Sequence, residues 1–262
     1  MFKKTTTSNF SFNNSTLLLM LPGEGKSSQF CLSLLKQAYD FENVGYLYSE
    51  FTNYQAGYQS EEDMIPSFNG QIYYNKTNNI TILDFSYGII LSDIHWFYFE
   101  LKNFVEENQF KDIYVLSSGS KDNCSDFELM SSNINVYSLQ NNSQIEQNCN
   151  LLSFKESYKI NELNREGKQF KEMLCLEGCE EAQRLIQYLL IEKQKFIFIF
   201  VFADSLFDPL AGLSLFNKIR YILKLVQNDE KVLKNNLTKS DQLEEISKTI
   251  KISQKWRNYL VN

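Results

Sequence analysis

The sequence has little of what most catalytic and metal sites require. It contains one histidine, His95, and five cysteines without paired metal-ligand spacing, because Cys175-x-x-x-Cys179 has no counterpart elsewhere. A serine or cysteine nucleophile would have to use His95, and no Gly-x-Ser-x-Gly turn is present. His95 lies in a predicted helix between apolar residues, which favours a packed or half-exposed imidazole. We predict no catalytic residues, no metal and no cofactor.

Long hydrophobic runs are also missing. The run at 17–21 is only five residues long, and the run at 189–202 is interrupted by Glu192, Lys193 and Lys195. We therefore expect neither a signal peptide nor a membrane helix. The odd number of cysteines is typical of a reducing compartment, in which they serve as small hydrophobic side chains.

Basic residues are fewer than acidic residues. The chain has 26 Lys and Arg against 32 Asp and Glu, a net charge of −6, which argues against binding to nucleic acid. With 262 residues, 43% hydrophobic and 15% aromatic, it can bury a large core. Its partners are expected to be proteins or small molecules.

The N-terminal half is patterned as strands alternating with helices. Residues 16–21 predict a buried strand, a glycine-containing turn follows, a helix starts at Ser27 or Ser28, and 44–48 predict another strand. Residues 71–74 and 79–85 predict a hairpin around a polar turn. A helix is expected from 91 to about 109, then a strand at 113–116 that ends in Ser117-Ser118-Gly119.

The C-terminal half continues this order. Residues 182–190 predict a helix, and 196–202 form a fully apolar strand of the kind covered on both faces. Asp208-Pro209 is a strong helix start. A short last helix is expected around 243–250. The whole predicts an α/β fold, a three-layer α/β/α sandwich with a mixed, mostly parallel sheet. We expect one domain, 1–262, with a polar insertion at about 140–171 and a C-terminal tail at about 252–262.

Two segments carry more apolar residues than one core-facing stripe needs. The helix after Pro209 has an apolar belt over 210–226, which is buried on two sides or faces a partner. Trp96, Phe97, Tyr98 and Phe99 are four consecutive aromatics that cannot all face one core from a helix. Both segments are candidate protein interfaces.

The turn Pro22-Gly23-Glu24-Gly25-Lys26-Ser27 suggests an alternative function. It is similar to the end of a phosphate-binding loop, and 196–204 could supply a hydrophobic strand with a magnesium-binding Asp204. The first glycine of such a loop is replaced by Met20, however, and Pro22 lacks an N–H donor. A nucleotide- or phosphate-binding enzyme using the Gly23 to Ser27 turn remains the alternative, and a generic structural adaptor is a third reading.

Several segments together resemble the proteasome assembly chaperones. The N-terminal ones are TLLLMLP at 16–22, QFCLSLL at 29–35, VGYLY at 44–48 and IYVLSSGS at 113–120. They are followed by DFEL at 126–129, FAD at 202–204, DPLAGL at 208–213 and ISQKWR at 252–257. Their order and spacing extend over most of the chain apart from the 140–171 insertion.

The resemblance implies a non-enzymatic chaperone of 20S proteasome assembly. Such a protein pairs with a related assembly chaperone as a heterodimer and holds proteasome α subunits while the α ring forms. It also implies a location in the cytoplasm, with the nucleus as a second compartment, and no partner among nucleic acids or membranes.

The C-terminal tail departs from the family pattern. Some family tails end in hydrophobic-Tyr-any residue and enter pockets between α subunits, but Tyr259 is fourth from this end. The carboxylate is therefore displaced from the ring, and a pocket that holds it at one position would not accept this tail in the same way. A tail docked on its own core through Trp256 is the other possibility. The candidate partner-binding residues of the tail are Trp256, Tyr259, Leu260, Val261 and Asn262.

Overall fold

The structure is a computed structural model. It describes residues 3–6, 11–52, 56–58, 66–121, 134–138, 151–152, 179–192, 194–204 and 207–225. The chain divides into two compact units, Met1–Lys224 and Leu225–Asn262. Only Leu225 of the second unit is among the described residues, so the last predicted helix and the predicted tail at 252–262 lie outside them. The predicted insertion at 140–171 also lies outside them, apart from residues 151–152.

The helices and strands alternate along most of the first unit. The strands are β1 (Lys3–Thr6), β2 (Thr16–Met20), β3 (Glu42–Tyr48), β4 (Ala56–Tyr58), β5 (Pro66–Phe68), β6 (Gln71–Asn75), β7 (Ile80–Asp84), β8 (Asp112–Ser120), β9 (Ile134–Ser138), β10 (Leu151–Leu152) and β11 (Ile197–Ala203). The helices are α1 (Ser27–Ala38), α2 (Ile94–Asn108), α3 (Glu180–Ile191) and α4 (Pro209–Leu223). Short 3-10 turns, Glu24–Lys26 and Leu91–Asp93, precede α1 and α2.

The described strands form one nine-stranded mixed sheet and a separate β4-β5 pair. The large sheet has the order β1-β3-β6-β7-β2-β8-β11-β9-β10. Its centre, β7-β2-β8-β11, is parallel, and antiparallel pairs join β6 to β7 and β9 to β11. The predicted strand-helix-strand unit is present, since β2 and β3 run in the same direction, but β7 and β6 lie between them. The predicted hairpin is β6-β7.

Apolar helices cover both faces of this sheet. All seven residues of β11 are buried, as a strand between two helical layers requires. On one face α2 and α3 pack with Leu17, Leu19 and Val115 in a single core. On the other face α1 packs against α4, where Gly212 meets the ring of Phe30. The predicted three-layer α/β/α sandwich is confirmed.

Helix α4 begins as the sequence predicts. The Oδ1 atom of Asp208 accepts a hydrogen bond of 3.0 Å from the backbone N–H of Ala211, and Pro209 occupies the first turn. Its apolar belt is buried mainly from two sides, because Leu215 and Ile219 are buried and Phe216 packs beside Tyr39 at the end of α1. Most of the belt is therefore explained by internal packing.

Strand β8 is longer than predicted. The sequence suggested that Ser117, Ser118 and Gly119 end the strand, but β8 continues to Ser120 because β11 pairs with it along its whole second half. The hydroxyls of Ser117 and Ser118 each donate a hydrogen bond inside the fold, to carbonyl groups of the turn that follows β2. In the part of the chain that the structure describes, no helix is long and apolar enough to cross a bilayer.

Candidate protein-binding site

The glycine turn after β2 is packed against the chain's own backbone. A Cβ atom on Gly23 would lie 2.2 Å from the carbonyl oxygen of Ser118, and one on Gly25 would lie 2.8 Å from that of Asp204. The Ser117 and Ser118 hydroxyls donate hydrogen bonds of 2.6 Å to the carbonyls of Pro22 and Glu24. The two glycines thus allow the turn to fit against the ends of β8 and β11, so their presence requires no phosphate.

The residues expected of a nucleotide site have other partners in the structure. Lys26 is solvent-exposed, and its backbone adopts a left-handed conformation with φ of 51°. The carboxylate of Asp204 pairs with Lys121 at 3.2 Å, and Lys121 also pairs with Asp208 at 2.7 Å. Within the described ranges there is no group of three His, Cys, Asp or Glu side chains able to hold a metal ion. Packing and internal ion pairing account for the phosphate-loop similarity.

A buried polar network lies beside α1, at the end of β7. Asp84 is buried and its Oδ1 accepts hydrogen bonds from the Ser86 N–H and hydroxyl, while Gln29 donates to the Ser86 carbonyl. Lys36 donates to the Tyr73 hydroxyl at 3.3 Å. Burial raises the pKa of Asp84, although the Ser86 hydrogen bonds and the charge of Lys36 act in the opposite direction. These interactions connect α1 to the sheet.

The raised pKa of Asp84 predicts a pH-dependent stability. The carboxyl group binds its proton more tightly in the folded state, so its favourable contribution is complete below the unfolded pKa near 4 and is lost as the pH rises through the folded value. We expect Asp84→Asn, which keeps an oxygen acceptor for Ser86, to lose less stability between pH 4 and pH 8 than the unmodified protein. Urea denaturation at each pH measures this.

The matched control is Asp112→Asn, on the partly exposed start of β8. It should keep the pH profile of the unmodified protein. Identical profiles for the unmodified protein and Asp84→Asn would contradict the assignment of Asp84 as the group responsible.

The four consecutive aromatics of α2 divide between core and solvent. Phe97 and Tyr98 are buried, whereas Trp96 is 62% exposed and Phe99 is 52% exposed. Because residues three apart lie on one side of a helix, the two exposed rings are neighbours. They form an adjacent pair of large exposed aromatics, in the class of residue enriched at protein-binding hot spots.

Other large exposed side chains lie on α4 and on β3. On α4, Leu210 is 67% exposed and Tyr221 is 59% exposed, but they lie eleven positions apart, about 16 Å along the helix axis. Tyr46 and Tyr48 are exposed on one face of β3, a pair that the sequence analysis did not single out. Their alternation with buried Leu47 is a sequence signal that could have revealed them.

The structure also places the other residues considered from sequence. His95 is exposed on α2, so it is not packed in the core, and Cys31 and Cys179 are buried thiols. Burial raises the pKa of the Cys31 thiol above its usual value, which disfavours the reactive thiolate form. The tail candidates Trp256, Tyr259, Leu260, Val261 and Asn262 lie outside the described residues.

Comparison with known proteins shows which solved structures share this fold. No protein-family model matches the sequence, and no curated protein matches it. Among solved structures, however, the sandwich matches proteins of the proteasome assembly chaperone fold over nearly its whole length.

Three solved structures illustrate the similarity. The archaeal homologue of proteasome-assembly chaperone PbaA from Pyrococcus furiosus matches with a TM-score of 0.62 and 14% identity, covering 97% of this chain and 100% of that one. The archaeal proteasome activator PbaB, from the same organism, gives 0.60 and 13%, with 95% and 98% covered. A PAC2 family protein from Streptomyces avermitilis gives 0.52 and 11%, with 88% and 98% covered. The predicted resemblance to proteasome assembly chaperones is therefore confirmed at the level of the fold.

Proposed function

We propose that this protein is a non-enzymatic chaperone of proteasome assembly. It forms a heterodimer with a related assembly chaperone, and this heterodimer holds proteasome α subunits while the α ring of the 20S particle forms. The observation that carries the proposal is the fold shared with PbaA over 97% of this chain. The proposed location is the cytoplasm and the nucleus.

The surface of the described residues supports a role in binding proteins. Exposed aromatics such as Trp96 and Phe99 are costly to leave in water unless a partner covers them. The net charge of −6 keeps the free chain soluble and disfavours nucleic acid as a partner. These features agree with a protein that acts through contacts with other proteins.

Affinity capture of the full chain from cell extract, followed by mass spectrometry, tests this function. We expect a related assembly chaperone and proteasome α subunits to be recovered in stoichiometric amounts, without β subunits, because the α ring is the proposed client. An extract passed over a same-sized unrelated α/β protein is the control. Recovery of complete proteasomes with β subunits, or of neither chaperone nor α subunits, would contradict the proposal.

The alternative of a nucleotide- or phosphate-using enzyme has less support. The Gly23 to Ser27 turn is occupied by its contacts with Ser118 and Asp204, and Asp204 is paired with Lys121. A magnesium-dependent rise in melting temperature on addition of ATP, abolished by Lys26→Ala, would revive that alternative.

A further inference from the structure

The outward side of α2 carries one continuous stripe. At 100° per residue, Trp96, Phe99, Asn103 and Glu106 lie within one sector of the helix, opposite the buried Ile94, Phe97 and Leu101. We call these four outward residues the α2 stripe. Its first two members are aromatic and its last is acidic.

The charges along this stripe have one sign. Glu106 and Glu107 are exposed in the last turn of α2, where the free carbonyl groups of the helix end add negative potential. Asp93 lies just before the first turn. Lys102, one turn before Glu106, is the exception, and its ammonium group is held in an ion pair with Glu192 just after α3. The aromatic centre therefore has acidic groups at both ends.

The neighbouring helix α3 does not change the negative net charge of this surface. Arg184 is exposed on α3, but Glu180 and Glu181 accompany it in the same two turns. The described part of the α2 and α3 layer thus presents an acidic rim around the exposed rings of Trp96 and Phe99.

The acidic groups around the two exposed rings determine which ligands this surface can bind. A second copy of the chain paired antiparallel through Trp96 and Phe99 would bring the glutamates of one helix toward Asp93 of the other, and like charges facing each other are unfavourable. Anionic lipid surfaces and nucleic acids are repelled for the same reason. A partner with basic groups at both ends of an apolar segment is attracted.

We propose that the α2 stripe binds a protein other than a second copy of this chain. The bound segment of that partner is a helix with an apolar centre and Lys or Arg at each end. The partner's apolar side chains cover Trp96 and Phe99. One basic group reaches Glu106, about 10 Å along the helix from Phe99, and the other reaches Asp93. This inference rests on the proposed function only in taking the ligand to be a protein.

Photo-cross-linking in cells tests the proposal with the full chain. A benzophenone amino acid replaces Phe99, and the matched control places it at Tyr221, which is similarly exposed on α4. We expect position 99 to cross-link to a helical segment with flanking Lys or Arg, at least about tenfold more efficiently than position 221. Mass spectrometry of the cross-linked peptides identifies that segment.

Charge exchange provides the second measurement. E106K combined with E107K should reduce the cross-link yield from position 99 at least about tenfold, since attraction becomes repulsion. Changing the mapped Lys or Arg of the partner to Glu should restore it. Because all the altered residues are exposed, the thermal melting curves should coincide with that of the unmodified protein.

Four results would overturn the inference. These are cross-links to a second copy, cross-links to an acidic segment, equal yields from both positions, and no cross-link at position 99. A basic-flanked partner unrelated to proteasome assembly would leave the surface assignment intact but contradict the proposed function. An assembly chaperone cross-linked only at position 221 would agree with the proposed function but contradict the surface assignment.

Discussion

Replacing Gly23 with alanine is expected to lower the free energy of unfolding by about 3 kcal/mol or more. The new Cβ atom would lie 2.2 Å from the Ser118 carbonyl oxygen and 2.6 Å from its nitrogen, and both are backbone atoms of a central strand. Gly23 has φ of −177°, so the backbone conformation itself suits any residue. The entire cost is steric, and it can be relieved only by moving β8 or the turn.

Urea denaturation of the purified protein measures this change. Lys26→Ala, three residues away on the exposed side of the same turn, is the matched control and should change stability by less than about 0.5 kcal/mol. A loss below about 1 kcal/mol for Gly23→Ala would show that the turn is not held against β8 as described.

The same position explains why the sequence suggested a nucleotide site. Glycines before a helix can open a loop toward phosphate or allow a loop to approach another strand, and the local pattern is the same in both cases. Only the neighbouring strand decides between them. Ser118 lies 95 positions further along the chain and cannot be identified as the neighbour of Gly23 from the local sequence.

The central strands and helices were predictable because their signals are local. The apolar run predicted at 196–202, the hairpin around 75–78 and the Asp208-Pro209 helix start are confirmed by β11, by β6-β7 and by α4. Each depends on periodicity or on turn and capping chemistry within about ten residues.

The edges of the sheet were not predictable in this way. Strand β1, in the polar N-terminal segment, is held by pairing with β3 some 40 residues away, and β9 is held by β11 across about 60 residues. Lys3-Lys4-Thr5-Thr6 carries no apolar alternation of its own. Tertiary pairing determines such strands, so their existence follows from the sheet and not from their composition.

The candidate binding surface was predictable only in part. Helical geometry required that some of the four aromatics at 96–99 face outward, and the structure identifies them as Trp96 and Phe99. Glu106 and Glu107 have the pattern of an ordinary solvated face in the sequence. Their connection with the aromatic pair becomes evident only once the orientation of α2 is known.

Asp208→Ala is expected to lower the free energy of unfolding by about 3 kcal/mol at pH 7. The carboxylate is buried and accepts three hydrogen bonds, from the Ala211 N–H at 3.0 Å, the Lys121 ammonium at 2.7 Å and the Asp204 N–H at 3.2 Å. It thereby joins the start of α4 to the ends of β8 and β11. Alanine removes both carboxylate oxygens, and with them all three hydrogen bonds, and leaves Lys121 with the exposed carboxylate of Asp204.

Asp208→Asn separates the cap from the charge. Its side-chain oxygen can still accept from Ala211, but the amide NH2 that replaces Oδ2 cannot accept from Lys121 or from the Asp204 N–H. We therefore expect a decrease of about 2 kcal/mol at pH 7, smaller than that of the alanine variant. Equal losses for the alanine and asparagine variants would mean that the cap contributes nothing.

The pH dependence of this difference identifies the charge as its source. Burial raises the pKa of Asp208, but the hydrogen bonds from Lys121, Ala211 and Asp204 outweigh it, so the folded-state pKa lies below its ordinary value. The contribution is therefore complete above the unfolded pKa near 4 and is lost as the pH falls through the folded value. The extra stability of the unmodified protein over Asp208→Asn should therefore fall toward zero at pH values below the folded-state pKa of Asp208. Urea denaturation at each pH measures it. An advantage that stays constant into acid would assign it to packing, because packing does not titrate.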